Sequence, residues 1–345
     1  MPVCDTLRLE RGEVPLVTFE ALSAWWVGGT ENLKNRRRIA AAFEHDEDFL
    51  ELGPIDDIYR LSKKERYHRA GQRFNVALQK VATGATQRSP YSMTSQEELS
   101  YFLFLAVGPE LPTNSIQVAM FIPTLRNQTS QEQRDAWLPA AKTMAILGCY
   151  AQTEIAHGSD VRSLQTEARF DPATRTFDLH TPNVGATKWW PAALGRTATH
   201  AIVHARLLLP TASGYADHGV KPFFVQLRDL DTHKNLPGIE SGDIGPTMGV
   251  VSIEEGWCRF NNVKLPHIAL LARYGHVSTT GSWVPPPPRF SKRAYATMLL
   301  MRSRMVVITS EHLGIAATIA VRYCAVRRQF KRAGSSQETQ ARDLV

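Results

Sequence analysis

The sequence predicts three regions in series: an all-α domain, a central antiparallel β-sheet or barrel domain, and a long amphipathic helix whose apolar stripe needs partner helices. Three observations predict this. Residues 1–147 place apolar side chains three and four apart with few β-branched alternations, and residues 148–285 break into short strand-like runs separated by turns. Beyond Pro285-Pro286-Pro287-Pro288 a helical spacing resumes over 286–345. With 345 residues, 43% hydrophobic and 21% charged, the chain has the composition of a soluble globular protein with core enough for two or three domains.

In the first region, Tyr101, Leu105 and Val107 precede a Gly-Pro break, and Trp137, Ala141 and Ile146 repeat the helical spacing. The basic stretch from Lys34 to Arg38, followed by Glu44, Asp46, Glu47 and Asp48, reads as an exposed helix and its turn. In the second region, strands are expected at Phe177-Asp178-Leu179, Ala201 to Ala205, Phe223 to Leu227 and Trp257 to Phe260. Asp171-Pro172, Pro237-Gly238 and Gly245-Pro246 bound them as turns, so an antiparallel sheet or barrel is the natural packing. The four prolines form a stiff extended connector, since each ring fixes φ and removes a backbone donor.

After the connector, Tyr295, Met298, Leu299, Met305, Thr309, Leu313, Ala316, Ile319, Tyr323 and Val326 keep the spacing for some ten turns, with a break expected near Gly314. That apolar stripe needs partner helices. The polar run from Ser335 to Gln340 completes no bundle, so the chain reads as a fragment or one that borrows packing.

Several function classes are excluded or weakened. No uninterrupted apolar run approaches the ~18–20 residues of a membrane span, and the N-terminus lacks a basic-then-apolar signal pattern. Cys4, Cys149, Cys258 and Cys324 are scattered, which suggests neither a disulfide framework nor a zinc site and fits a reducing compartment. There is no Gly-x-Gly-x-x-Gly, phosphate loop, nucleophile elbow or His-Glu-x-x-His. His200 and His204 stand four apart, but on a strand pattern that makes them sheet residues rather than a metal pair. From Arg289 onward eleven Lys or Arg face three acids, so nearly all of the net +7 sits in the tail. Such a face meets phosphates, although charge alone favours an ordinary solvated helix. Aromatic residues do not interleave with it as a stacking platform, which argues against nucleic acid.

The chemistry-bearing stretch runs from Cys149-Tyr150-Ala151-Gln152-Thr153-Glu154 through His157-Gly158-Ser159 to Lys188-Trp189-Trp190-Pro191. Thr153 and Ser159 offer hydroxyls, Gly158 lets a ring system approach the main chain, and Trp189 and Trp190 supply flat faces. On the residues alone, a Ser/Gly turn and core packing explain the same pattern.

The stretch resembles the flavin-cradling segment of the peroxisomal acyl-CoA oxidases. Further segments match in order. They are Met120 to Leu125 with Gln128, Gln133 and Trp137-Leu138; Gly238-Ile239 with Gly242 to Pro246 and Met248-Gly249; Phe260 to Pro266; and Tyr323 with Arg327-Arg328-Gln329-Phe330. Cys-Tyr-Ala-Gln-Thr-Glu with Lys-Trp-Trp-Pro is characteristic of the oxidases rather than of acyl-CoA dehydrogenases. The resemblance implies an acyl-CoA dehydrogenase-like fold with an N-terminal helical domain over 1–147, a β-barrel over 148–285 that binds FAD and acyl-CoA, and the first helices of the C-terminal domain over 286–345.

The activity so implied oxidises a fatty acyl-CoA to the trans-2-enoyl thioester while O2 is reduced to H2O2, in a peroxisomal homodimer with non-covalent FAD. By position, Thr153, Gly158, Ser159, Trp189, Trp190 and Ala192 would face the flavin, and Arg327 with Gln329 would reach its pyrophosphate across a subunit interface. A guanidinium suits that role because it binds phosphate oxygens in a planar fork.

Two departures stand out. Ala192-Ala193 replaces the family's Gly-Gly, so a methyl crowds the ring or takes a φ that alanine dislikes. The family's catalytic glutamate lies in the C-terminal domain beyond Val345, and Glu255 before Gly256 does not take its place. This chain alone is therefore expected to be inactive, since general-base assistance of ~10²- to 10⁴-fold is missing. The alternatives are a dehydrogenase-type flavoprotein and a non-catalytic subunit that pairs through the helix from Ser291 to Lys331. Arg342 to Val345 is not a Ser-Lys-Leu address.

Overall fold

The computed structural model describes residues 19–84, 89–108, 112, 114–248, 252–288, 296–331, 334 and 338–340. The expectations on Cys4, Gly249, Ser291, Tyr295, residues 335–337 and residues 342–345 lie outside them.

Among the described residues, seven α-helices build the first region: α1 (Phe19–Trp26), α2 (Thr30–Glu44), α3 (Glu47–Glu51), α4 (Lys63–Gly84), α5 (Gln96–Val107), α6 (Ile122–Gln128) and α7 (Gln131–Lys142). Local chemistry sets their starts. Asp46 caps α3 by accepting from the Asp48 amide, Ser95 caps α5 through Glu98, and Ser130 with Gln133 forms a reciprocal capping box on α7. The Lys34–Arg38 stretch lies on α2 as expected. Ile39, Phe49, Phe74, Tyr91 and Phe102 form the buried core of this domain. One expectation fails locally. The helical spacing ran on to Ile146, but α7 stops at Lys142, and Met144 at φ 60 turns the chain so that Ile146 donates its amide to Ala140.

The second region carries eleven strands: β1 (Gly148–Ala151), β2 (Glu167–Asp171), β3 (Thr176–His180), β4 (Lys188–Ala192), β5 (His200–Thr211), β6 (Gly214–Gln226), β7 (Ile239–Asp243), β8 (Glu255–Phe260), β9 (Val263–Pro266), β10 (His276–Val277) and β11 (Trp283–Val284). The main sheet runs β1-β5-β2-β3-β9 with β6 also on β5; β4-β8-β7 forms a second sheet, and β10-β11 a small hairpin. The expected antiparallel pairing holds for most neighbours, but β1 and β2 both run parallel to β5. They share one edge of that long strand, Gly148–Ala151 opposite His200–Val203 and Glu167–Arg169 opposite Arg206–Leu208.

His200 through Ala205 are buried without alternation because β5 is covered on both faces. Ala201, Val203 and Ala205 enter the β core with Phe170, Phe177 and Phe223, whereas Ile202 joins a seam with Phe121, Leu125 and Leu138 of the helical domain. Trp137 stacks on Phe224 across that seam at 4.1 Å and 8°. A Cβ at Gly148 would collide with the Phe121 ring, so the start of β1 must be glycine for the domains to close.

Two buried amides lock the seam. Gln117, in a π-helical turn over Gln117–Phe121, donates to the carbonyls of Ala141 (2.8 Å) and Ile146 (2.9 Å) and accepts from the Gly148 amide. Gln133 donates to the carbonyls of Ile268 (2.7 Å) and Leu270 (2.6 Å) and accepts from the Ala272 amide.

Among the described residues, the last region carries one helix, α8 (Ala296–Val326), continuous through Gly314. Its 31 residues make about nine turns at 3.6 residues each. Gly314 does not break it, and the Trp26 ring lies at ordinary contact distance, 3.6 Å from where a Cβ would stand. Arg36 pairs with Glu311 at 2.6 Å and lies over the Tyr101 ring, and Phe104 meets His312 edge-on. Leu299, Met305, Val306, Leu313, Ile319 and Val321 remain exposed. By length and composition alone Met298–Val326 would suffice to cross a membrane, a test that the core helix of a soluble protein also passes.

The Arg-Gln-Phe segment is not helical. β12 (Arg328–Lys331) folds back on β13 (Glu338–Gln340), with Phe330 at φ 59 where the register shifts.

Candidate functional site: an exposed tryptophan edge on a clamped strand

The sequence-singled residues Thr153 and Trp189 are brought together. The Trp189 amide donates to the Thr153 carbonyl at 3.1 Å, and Thr153 Oγ1 donates to the Trp189 carbonyl at 2.5 Å. In a regular strand one of two successive indoles would turn inward. Here Trp189 is 39% and Trp190 60% exposed, because β4 bulges against β8 between Trp189 and Ala192 and Trp190 takes φ 86. The tryptophan pair is therefore a surface edge rather than core.

Gly158 and Ser159 lie on the turn that follows, exposed, with nothing within 4 Å of a Cβ built on Gly158. The preceding turn is tied to the chain before β4 by Ile155 and Ala156, which donate to Thr187 and Gly185. Ala192 is half-buried with ordinary φ, but Ala193 sits at φ 69, the conformation expected to be awkward for this Ala-Ala pair. Arg327 and Gln329 are joined to each other, 3.5 Å from Nη2 to Oε1. Among the described residues, no hydrogen bond or ion pair connects them to the Thr153–Trp189 edge.

Behind the edge lies a fully buried ion pair to which sequence reasoning gave no role. Lys188 Nζ reaches Glu154 Oε1 at 3.0 Å, the His204 carbonyl at 2.6 Å and the Gln152 carbonyl at 3.2 Å. Glu154 in turn accepts from the Gln165 amide (2.7 Å), the Thr166 amide (2.9 Å) and Thr166 Oγ1 (2.6 Å). Burial pulls Lys188 down to about 8, opposed by Glu154, so the ammonium persists at neutral pH. Against its own burial, the Lys188 charge and the Thr166 and Gln165 donors hold the Glu154 carboxyl below its ordinary value. In the sequence both residues were visible only as members of the segments 149–154 and 188–191.

A second pair of buried charges holds the segment that leaves β4. Glu254 accepts from the Arg196 amide, from the Thr197 amide at 3.1 Å and from Thr197 Oγ1 at 2.6 Å. Arg228 donates to the carbonyls of Leu194 (3.1 Å), Gly195 (2.8 Å) and Ala198 and to Ser241 Oγ (2.6 Å). One charge thus takes the donors of this loop and the other its acceptors. Burial raises the Glu254 carboxyl, opposed by these hydrogen bonds, and lowers the Arg228 guanidinium. Strain at Trp190 and Ala193 persists because both ends of the segment are fixed.

His200 and His204 lie on β5 as sheet residues; Tyr150 Oη stands 3.1 Å from His204 Nε2. Burial pulls them down to about 4 and about 3, so both are neutral at pH 7. Clefts of about 350 Å³ beside Lys80 and Tyr91 and about 220 Å³ beside Arg169 and His180 include none of the edge residues.

Residues 18–147 match the acyl-coenzyme A oxidase N-terminal family, residues 149–263 the acyl-CoA dehydrogenase middle domain, and residues 295–343 the acyl-CoA oxidase C-alpha1 domain. The chain belongs to the acyl-CoA oxidase family. It is 36% identical over 317 residues to rat peroxisomal acyl-coenzyme A oxidase 1, covering 92% of this chain and 45% of the rat protein. Arabidopsis thaliana acyl-CoA oxidase 1 superposes with a TM-score of 0.83 at 34% identity, over 99% of this chain and 49% of that one. Acyl-CoA oxidase-2 of Caenorhabditis elegans, bound with FAD, ascaroside-CoA and ATP, gives 0.84 at 34% identity, again over 99% and 49%. This acyl-CoA oxidase family chain thus spans about half the length of the relatives it matches.

Proposed function

We propose that this chain is the flavin-binding part of a peroxisomal acyl-CoA oxidase, acting as a homodimer on fatty acyl-CoA with O2 as electron acceptor. The observation that carries this reading is the Thr153–Trp189 edge with two exposed indoles on a strand fixed at both ends. FAD fits what is present, since the edge offers flat apolar faces, a glycine turn with open space above it and the Ser159 hydroxyl. When bound, FAD supplies the acceptor for the hydride from the acyl β-carbon and the route by which two electrons reduce O2 to H2O2. The carbon that loses the hydride and its neighbour become the trans-2-enoyl double bond.

In this reading Trp189 and Trp190 flank the isoalloxazine, Thr153 and Ser159 orient it, and Gly158 and Ala192 allow close approach. Arg327 and Gln329 grip the pyrophosphate, from the hairpin rather than from a helix, and across the dimer interface. The α-proton needs a carboxylate. Glu154 does not serve, because it is buried behind the edge and committed to Lys188, Gln165 and Thr166. The base belongs to the glutamate of the family's C-terminal domain, and the 345-residue chain by itself binds flavin without turnover. Division of the chain near 147 and 285 is part of the same reading.

The test is the visible spectrum of the 345-residue chain after loading with FAD and desalting. A retained flavin band supports the reading, and a flavin-free protein with a folded β domain sinks it. Oxygen uptake with peroxide formation in a longer form of the protein separates an oxidase from a dehydrogenase. The exposed apolar side chains of α8 favour a second reading, a non-catalytic chain that pairs with a full-length subunit. Capture of that subunit by the chain, lost when 296–326 is deleted, supports it.

A further inference from the structure

We propose that the buried Glu154–Lys188 pair is the positioning element that sets the Thr153–Trp189 edge against the flavin ring; this rests on the flavin reading above. Glu154 and Lys188 face each other across an antiparallel bridge, and successive side chains of an extended strand point to opposite sides. The residues beside them, Thr153 and Trp189, therefore form the outer side of the same two-stranded ladder whose inner side is the ion pair. The ammonium bonds the Gln152 carbonyl and the Glu154 carboxylate, so it grips the chain on both sides of Thr153.

Its third bond, to the His204 carbonyl, anchors this ladder to β5 of the main sheet. Glu154 adds the chain just ahead of β2 through Thr166 and its neighbour Gln165. The pair is thus a corner joint between the two sheets, placed directly behind the candidate flavin edge. Its polar valences are filled within the protein, which leaves it no part in proton transfer and makes its role geometric. An indole held face-on to a flavin quenches the flavin's fluorescence, so the joint has an optical readout that folding alone does not move.

The test uses the 345-residue chain and three variants: Lys188→Met, the double variant Glu154→Gln with Lys188→Met, and Thr166→Val. Lys188→Met leaves a buried carboxylate unpaired and is expected to fold poorly. The double variant removes both charges and restores folding. It should nevertheless bind FAD at least about tenfold more weakly, with bound flavin brighter than in the wild type, as the edge loses its anchor.

Thr166→Val keeps both charges and removes one donor to Glu154; a two- to threefold weaker FAD affinity with a smaller brightening is expected, on the scale of one lost hydrogen bond. Wild-type affinity and fluorescence in the folded variants overturn the inference. If the wild-type chain takes up no flavin, the cofactor reading fails by itself. Hydrogen exchange at the Trp189 amide then decides: about tenfold faster exchange in the double variant sustains the positioning role, and equal rates overturn it.

Discussion

The central sheets and helix α8 hold themselves in opposite ways. Around β4 four buried charges, Glu154, Lys188, Arg228 and Glu254, have their hydrogen bonds met by backbone and side chains a few ångströms away. α8 reaches the helical domain through Arg36–Glu311, Phe104–His312 and the approach of Trp26 to Gly314, while most of its apolar surface stays exposed. A segment whose buried charges are satisfied internally carries its geometry with it. One whose apolar surface is bare takes its geometry from whatever covers it.

The largest test of this contrast is Arg228→Met. It strands the carbonyls of Leu194, Gly195 and Ala198, and urea unfolding should show a loss of about 3–5 kcal/mol. A loss below about 1 kcal/mol would mean that the loop after β4 is not held from within.

Acid probes the same region next. His200 and His204 have folded values of about 4 and about 3 against 6.5 when unfolded, so the unfolded chain takes up protons first as pH falls below 6.5. Stability should drop by roughly 2 kcal/mol per histidine between pH 7 and pH 5. His204→Asn should remove its share of that drop, and an unchanged pH slope would break the assignment.

Ala193→Gly sharpens the picture from the opposite side. It relieves a left-handed alanine at φ 69, and the urea midpoint should rise by an amount worth about 1 kcal/mol. Smallest is the α8 contact. A double-mutant cycle of Arg36→Ala and Glu311→Ala should give a coupling of roughly 0.5 kcal/mol, read by urea unfolding. A coupling several times larger would place α8 in the same class as the sheets.

The strand segments at 177–179, 201–205, 223–227 and 257–260 were legible because their apolar side chains and turn residues lie within a few positions of one another, whereas the far halves of β5 and β6 were not read. The parallel pairing of β1 and β2 with β5 was not, since it joins segments some forty to fifty residues apart and leaves no local trace. Trp190 shows a different limit. A residue before proline is expected to be extended with negative φ, and nothing in Trp-Trp-Pro signals φ 86. That conformation is imposed by the bulge and the clamps. Thr153, Trp189 and Trp190 were named from motif resemblance, whereas the charges behind them emerged only when strands distant in sequence were brought together. Gly314 misled because a single glycine inside a long helix costs only about 1 kcal/mol and need not break it.

Gln117 and Gln133 have a consequence for how this architecture can diversify. The bonds they make at the seam end on main-chain atoms: Gly148 on the sheet side with Ala141 and Ile146 on the helical side for one, Ile268, Leu270 and Ala272 for the other. Main-chain atoms are common to all residues, so side chains at the docking strip, Gly148 excepted, can drift without altering these bonds. The angle between helical and sheet domains is thereby insulated from sequence change on the sheet side, and two amides carry the memory of it.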